Sequence, residues 1–483
     1  MPKSRSLRVL HVAAEIYPWL KTGGLADVVA ALPVAQANAG AEVRLLLPAM
    51  PAIAEAVVGK RAIFDCGPFM GAGKIRVCRG RMRDSNLSVY LLEAPYLYTR
   101  PGGPYQAPSG QDWPDNLQRF ALLSWVAAHL AAGEIDPKWQ PDITHAHDWH
   151  AGLTPAYMSR HPLEKAKSVF TIHNLAYQGR FAGVNLSELA LPQAWMAPGA
   201  ALEFHGDLSF MKAGLTLADH ITTVSPNYAK EIMTNEFGAG LDGVIRARES
   251  SLTGILNGVD YSLWDPGTDP RLIENFDAQQ WDGKARCKGQ LQALNGLTTD
   301  PSIPVFGVVS RMTQQKGLDL LLRAMDALLR EGAQLVLLGS GDRDLEQAFT
   351  HWAEQHPRAI GVRLGYDEDY AHRLIAGADA LIIPSRFEPC GLTQLYAMRY
   401  GTLPVVRAVG GLADTVNEET GFCFRGGDTE LADVLARTLA CYRQPSRWQK
   451  KKQAAMSRDF SWSVAATEYL QLYSELRHPR SEA

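Results

Sequence analysis

Cysteine is scarce in this chain: Cys66, Cys78, Cys287, Cys390, Cys423 and Cys441 are scattered through 483 residues, with no C-x-x-C pair. That excludes a disulfide-stapled scaffold and a cysteine zinc cluster, and it fits a reducing cytoplasm. Net charge is also small, −3 from 48 basic and 51 acidic residues. There is therefore no general electrostatic reason to bind nucleic acid or an anionic membrane, although a local basic cleft for phosphates would not register in the sum. No run approaches the roughly 20 apolar residues that span a bilayer. The basic start, M-P-K-S-R-S-L-R-V-L-H-V-A-A-E, breaks its short apolar stretch at Glu15 without a small-residue cleavage pattern, so it reads as a first strand. Internal repeats and low-complexity tracts are missing as well. What remains has globular proportions, 46% hydrophobic and 20% charged, on a chain long enough for two or three domains.

Short β-rich runs alternate with helical patterns. Strands are expected at 7–14, 41–48, 142–147, 168–173 and 220–225, with a helix over 24–40 that ends at a glycine. A second set follows at 304–310, 334–339, 359–364, 380–385 and 403–407, with a helix over 317–330. Such alternation predicts two doubly wound α/β domains, each a parallel sheet with helices on both faces. The boundary falls near S-L-T-G-I-L-N-G-V-D (251–260), which gives domains 1–252 and 253–460. Residues 265–302 read as polar, irregular hinge or surface insertion, and the apolar spacing of 461–476 predicts a helix that returns to the N-terminal domain within a C-terminal segment 461–483. Ligands of such sheets bind beyond the carboxyl ends of the strands, so two facing domains would enclose a cleft holding the site.

Four stretches carry chemistry. W-L-K-T-G-G-L-A-D-V (19–28) follows the first strand. Its glycines permit close backbone approach, the helix start favours an anion and Lys21 adds a charge, yet it is neither a Walker A loop nor G-x-G-x-x-G. In S-R-M-T-Q-Q-K-G (310–317), Arg311 and Lys316 are placed to converge on one diphosphate, the alternative being two solvated loop charges. H-A-H-D-W-H (145–150) looks like metal ligands, but no second ligand group follows at a familiar spacing. Contacts to a hydroxylated substrate or satisfied structural histidines compete with that reading, Asp148 is placed to cap the next helix, and His173 at a strand end is the better candidate for a reacting group. R-F-E-P-C-G-L-T-Q-L-Y-A-M (386–398) sets Glu388 just before a helix, either as a cap or as a group with work of its own.

Taken in order, K-T-G-G-L-A-D-V, H-N-L-A-Y-Q-G, I-L-N-G-V-D, S-R-M-T-Q-Q-K-G-L-D and S-R-F-E-P-C-G-L-T-Q-L-Y-A-M-R-Y-G-T-L-P-V-V-R resemble bacterial glycogen synthase and plant starch synthase from about residue 8 to about residue 470. The resemblance implies an α/β GT-B fold of two facing Rossmann-like domains. It implies transfer of glucose from ADP-glucose to the non-reducing end of an α-1,4-glucan (glycogen or a maltooligosaccharide), with retention and with neither metal nor cofactor. By matching positions it implies that Arg311 and Lys316 hold the diphosphate and that Lys21 with Gly23 and Gly24 approaches the donor. It further implies that His173 contacts the transferred glucose, Asn257 lies near the donor, Tyr366 sits against adenine, Glu388 grips the sugar, and amides from Cys390 through Gly391 and Leu392 to Thr393 take the phosphate end. Asp148 joins the substrate contacts. Many retaining relatives carry E-x7-E, but the second position here is Tyr396, so ribose recognition does not transfer to a second Glu.

No pair of acids at the roughly 5 Å separation of retaining hydrolases can be picked out, which favours departure and attack on one face of the sugar. Two other classes stay open on residues alone: a sugar-nucleotide epimerase of similar architecture, and a noncatalytic glucan- or nucleotide-binding protein. A glucan phosphorylase is disfavoured, since no motif marks a pyridoxal-phosphate lysine.

Overall fold

The computed structural model describes residues 5–478. They divide into two units, one running to Gly258 and resuming at Trp462, the other Val259–Ser461.

The main sheet of the first unit is built from β1 (Arg8–Val12), β2 (Glu42–Pro48), β3 (Val57–Cys66), β4 (Ile75–Met82), β5 (Ser88–Glu93), β6 (Ile143–His147) and β7 (Lys167–Ile172). Three short segments, β8 (Arg180–Ala182), β9 (Glu203–Phe204) and β10 (Asp207–Ser209), form a separate antiparallel sheet; β11 (His220–Thr223) and β12 (Leu252–Gly254) complete the main one, in the order β12-β11-β7-β6-β1-β2-β5-β4-β3. From β12 to β5 every pairing is parallel. The purely parallel sheet expected from the alternation fails at the far edge, where β4 runs antiparallel to both β5 and β3. The links on either side of β4 are too short for a crossover helix, so only hairpins close there, and β3 is exposed along most of its length, as an antiparallel edge tolerates.

The second unit holds β13 (Val305–Val309), β14 (Gln334–Gly339), β15 (Ile360–Leu364), β16 (Ala380–Ile383), β17 (Leu403–Arg407) and β18 (Phe422–Phe424), all parallel, in the order β15-β14-β13-β16-β17-β18. The helix Leu318–Arg330 buries Leu318, Leu321, Met325 and Leu328 at the spacing its sequence shows. The supposedly irregular 265–302 contains a helix, Asp282–Leu294, that apolar periodicity could not reveal because part of its buried face is lysine. Lys284 Nζ donates to the carbonyls of Ala376 (3.0 Å) and Ala378 (3.2 Å) and to Thr402 Oγ1 (2.7 Å), and burial lowers its pKa to about 7. Lys288 Nζ pairs with Asp379 at 2.7 Å.

The segment boundary lies later than 252/253, because Leu252–Gly254 is an edge strand of the first sheet and Ile255 N–H still donates to Thr223 O at 2.8 Å. The last helix, Trp462–Arg477, buries Trp462, Ala466, Tyr469 and Tyr473 among Val9, Val28, Leu32, Ile143 and Ile255; residues 479–483 of the expected C-terminal segment lie outside the described residues, as do residues 1–4 of the expected first domain. Among the described residues no helix is long and apolar enough to cross a membrane.

Trp462 is 6% exposed and packs so closely on Gly258 that a methyl there would meet its ring at 2.8 Å. Trp462→Ala should therefore cost about 3–5 kcal/mol, read as a lower urea midpoint for the first unit.

Candidate functional site

The strand order of each unit reverses at one place. In the first unit it is between β1 and β6, and in the second between β13 and β16. With right-handed crossovers, connections on either side of such a point leave for opposite faces of the sheet and open a crevice above the carboxyl ends of the two strands. Lys21, Gly23 and Gly24 follow β1, Asp148 follows β6, and His173 follows the neighbouring β7. Arg311 and Lys316 follow β13, and Glu388 through Thr393 follow β16. Two predicted residues stand away from these points: Asn257, buried in the segment after edge strand β12, and Tyr366, 76% exposed after edge strand β15 with its hydroxyl donating to Glu368 at 2.7 Å.

In the second unit the loops after β13 and β16 are stitched together. Arg386 N–H donates to Gln315 O (2.8 Å), Gln315 Nε2 to Phe387 O (3.2 Å), and the Arg386 guanidinium forks onto both oxygens of Asp319 at 2.7 Å each. Gly317, at φ 66°, brings its backbone so near Pro384 that an added Cβ would lie 2.1 Å from that carbonyl oxygen. Lys316 and Glu388 consequently meet as an ion pair, with Ser385 Oγ donating to the same carboxylate oxygen at 3.1 Å. The Glu388 main chain is fixed too: Gly411 N–H donates to its carbonyl at 3.0 Å, and Gly410, at φ 45°, leaves room for that oxygen where a Cβ would sit 1.9 Å away. The helix Thr393–Arg399 has Leu392 at its N-cap and no side-chain cap bond, so Glu388 is not a cap. Cys390 is buried, and Gln394 Nε2 holds the carbonyls of Cys390 and Gly391 at 3.0 Å each. Arg311 is exposed, and its guanidinium enters no ion pair among the described residues.

In the first unit the K-T-G-G turn is held from below by Glu15, a residue whose role the sequence did not mark. Its carboxylate accepts the Thr22 N–H and the Tyr105 hydroxyl, and burial raises its pKa. Lys21 pairs with Asp27 at 2.8 Å. Gly23 is extended, begins the helix Gly24–Asn38 without a side-chain cap, and an added methyl there meets no protein atom within 4 Å, so packing alone does not explain the glycine.

Asp148 also departs from expectation. It precedes the turn Trp149–Ala151 without making a side-chain cap bond. Its φ of 60° with ψ of −177° is backbone that non-glycine residues rarely adopt, at a cost of about 1–3 kcal/mol. Its carboxyl is pushed well above the usual range by burial, against the pull of the Trp149, His173 and Asn174 amides, and Oδ1 has no partner.

The histidines of 145–150 and His173 are buried. His145 Nδ1 meets the Tyr473 hydroxyl at 2.6 Å and its Nε2 meets Thr171; His147 lies between His11 (2.9 Å) and His173 (3.0 Å); His150 stacks on Tyr105 at 4.8 Å. Ring nitrogens of His11, His145 and His147 lie within 4.8 Å of one another, close enough for an ion, yet most already have protein partners. His11, His145 and His147 are thus satisfied structural histidines leading to His173, whereas the buried Nδ1 of His150 has no hydrogen-bond partner. Burial lowers the pKa of His11 to about 4 and of His150 and His173 to about 3.

Residues 8–247 match the starch synthase catalytic domain model and residues 303–441 the glycosyl transferases group 1 model. The chain is 49% identical to glycogen synthase of Serratia proteamaculans, over 97% of this chain and 100% of that one, and 47% identical to glycogen synthase of Francisella philomiragia over the same shares. The catalytic domain of starch synthase IV from Arabidopsis thaliana, solved bound to ADP and acarbose, superposes with a TM-score of 0.86 at 31% identity, covering 98% of this chain and 100% of that one. Sucrose-phosphate synthase from Thermosynechococcus elongatus, at 21% identity, 98% and 99% coverage and a TM-score of 0.60, shares the fold alone, which is GT-B.

The histidine burial sets a pH dependence. His11, His145, His147, His150 and His173 all have folded pKa values depressed below 6.5. Below that pH the unfolded chain binds protons the folded chain refuses, so stability is full above about pH 6.5 and falls by up to ~1.4 kcal/mol per histidine per unit as pH drops toward 4. Glu15 and Asp148, with raised values, act in the opposite sense but are outnumbered. Urea midpoints should decline between about pH 7 and pH 5; a flat profile contradicts the buried neutral cluster.

Proposed function

The chain belongs to the glycogen synthase and starch synthase family, and from that membership we propose that it transfers glucose from ADP-glucose to the non-reducing end of an α-1,4-glucan, retaining the anomeric configuration. The structural observation that carries this reading is the Lys316–Glu388 pair at the switch point of the second sheet. A carboxylate and an ammonium so placed divide the donor between them. Glu388 accepts from hydroxyls of the glucose, while Lys316, whose ammonium has three N–H donors and spends one on Glu388, turns the others with exposed Arg311 to the diphosphate.

Charge on the diphosphate grows as the glycosidic bond breaks, so cations already fixed in position stabilise the transition state more than the ground state. In this reading the amides from Cys390 to Thr393 meet the phosphate end and Tyr366 the adenine. Lys21 with Gly23 and Gly24 approaches the donor, Asn257 lies near it, His173 contacts the transferred glucose and Asp148 joins the substrate contacts. Attack and departure occur on one face, with the leaving diphosphate accepting the proton of the incoming hydroxyl. Positioning and fixed charge do the chemistry, so neither metal nor cofactor is required. The six cysteines are free thiols, which supports a reducing cytoplasm as the compartment.

Incubation with labelled ADP-glucose and glycogen should place label in polymer, more slowly from UDP-glucose and unaffected by chelator. Sugar-nucleotide interconversion without polymer growth would defeat the reading. Arg311→Ala and Lys316→Ala should each lower kcat by about 10²–10³; turnover near the wild-type rate with donor still bound would remove both from the mechanism.

A further inference from the structure

A file of buried groups in the first unit runs from the C-terminal helix to His173. Tyr473 OH lies 2.6 Å from His145 Nδ1 and 3.3 Å from Gln36 Nε2. Gln36 Oε1 lies 2.7 Å from His11 Nε2, His11 Nδ1 lies 2.9 Å from His147 Nε2, and His147 Nδ1 lies 3.0 Å from His173 Nε2. Gln36, His11 and His147 are each at most 1% exposed, and Tyr473 is fully buried.

Burial keeps His11, His147 and His173 neutral at pH 7, so each ring carries one N–H and one bare nitrogen. A chain of such rings has only two consistent polarities, and choosing the proton at one end chooses it at the other. In one polarity Tyr473 donates to His145 and accepts from Gln36 Nε2. Gln36 Oε1 then accepts from His11 Nε2–H, His11 Nδ1 accepts from His147 Nε2–H, and His147 Nδ1 accepts from His173 Nε2–H. The opposite polarity turns the Gln36 amide over and puts the His173 proton on Nδ1.

The distances choose between them. The reversed file needs an O–H···O bond from Tyr473 to Gln36 across 3.3 Å, outside the roughly 2.5–3.0 Å that such bonds span. It also needs an amide N–H···N bond at 2.7 Å, a separation that suits N–H···O. The 2.6 Å contact at His145 is short, as a donating hydroxyl makes it.

The geometry points to Gln36, His11 and His147 as positioning residues that, set by the Tyr473 hydroxyl, hold His173 in the Nε2–H tautomer and leave its Nδ1 lone pair to accept from a hydroxyl of the transferred sugar. This deepens the proposed glucosyl transfer and rests on it only for what Nδ1 meets; the proton order rests on the first unit alone. It also gives the C-terminal helix a chemical task, since its hydroxyl decides which nitrogen of a histidine three hundred residues earlier is an acceptor.

The test is long-range ¹H–¹⁵N correlation on the full chain labelled at histidine. Wild-type His11, His147 and His173 should each show a protonated Nε2 and a bare Nδ1; a protonated Nδ1 at His173 overturns the proposal. Tyr473→Phe keeps the ring and removes the hydroxyl, and Gln36→Met keeps the bulk and removes the amide. Both should mix the His173 tautomers and lower kcat about tenfold, the scale at which an orienting partner acts on a functional histidine. A purely structural role would lower the melting temperature and leave the His173 nitrogen shifts in place, which also overturns the proposal. Shifts that follow the file while turnover is unchanged in both variants overturn the sugar contact alone and leave the tautomer assignment standing.

Discussion

Two adjacent parallel strands whose connections leave for opposite faces of a sheet cannot close the space above their carboxyl ends. Each unit has one such place, at β1/β6 and at β13/β16, and most of the candidate site stands there or one strand away. The loops over these points would be free to wander without further bonds. Arg386 on Asp319, Gln315 on Phe387 and the glycine contacts at Gly317 and Gly410 remove that freedom in the second unit, so that Lys316 and Glu388 have little choice but to meet. In the first unit Glu15 does the same for the Thr22 turn.

Desolvation then settles the charge state of what the sheet has gathered. In the first unit, ionisable groups are taken out of water without an opposite charge, and burial works against their charged forms: the pKa values of the five histidines are lowered, those of Glu15 and Asp148 raised. In the second unit the carboxylate instead meets an ammonium, and a partly buried pair is kept together because removing either member strands the other. The two units thus differ in what they gather at these points, buried histidines with lowered pKa values in the first and the Lys316–Glu388 ion pair in the second.

The elements legible in advance were those whose signal is local. β6, β13, β14 and β17 begin and end within a residue or so of the apolar runs that announce them, and the helix Leu318–Arg330 follows its leucine spacing. The glycine-bearing turns and the residue types at Lys21, Arg311, Lys316 and Glu388 were equally plain, because each is a short stretch with an unusual chemical content. Illegible were the hairpins around β4, whose strands look like any other until the short links forbid a crossover, and the helix Asp282–Leu294, whose buried lysines find carbonyls and a carboxylate far along the chain. Gln36 and Tyr473 gave no hint, being one polar residue in an apolar helix and one aromatic among several.

The amino-acid sequence by itself determined the kind of most elements, the two-unit α/β plan and the residue types offered as site candidates, because periodicity, turn chemistry and residue type act over a few neighbours. Tertiary structure alone decided which of those side chains touch and which are stripped of water. The order of strands in a sheet brings Lys316 to Glu388 across 72 positions and Tyr473 to His145 across 328. Local pattern carries no record of such pairings, since hydrogen bonds and ion pairs are fixed by distance in space and not by distance along the chain.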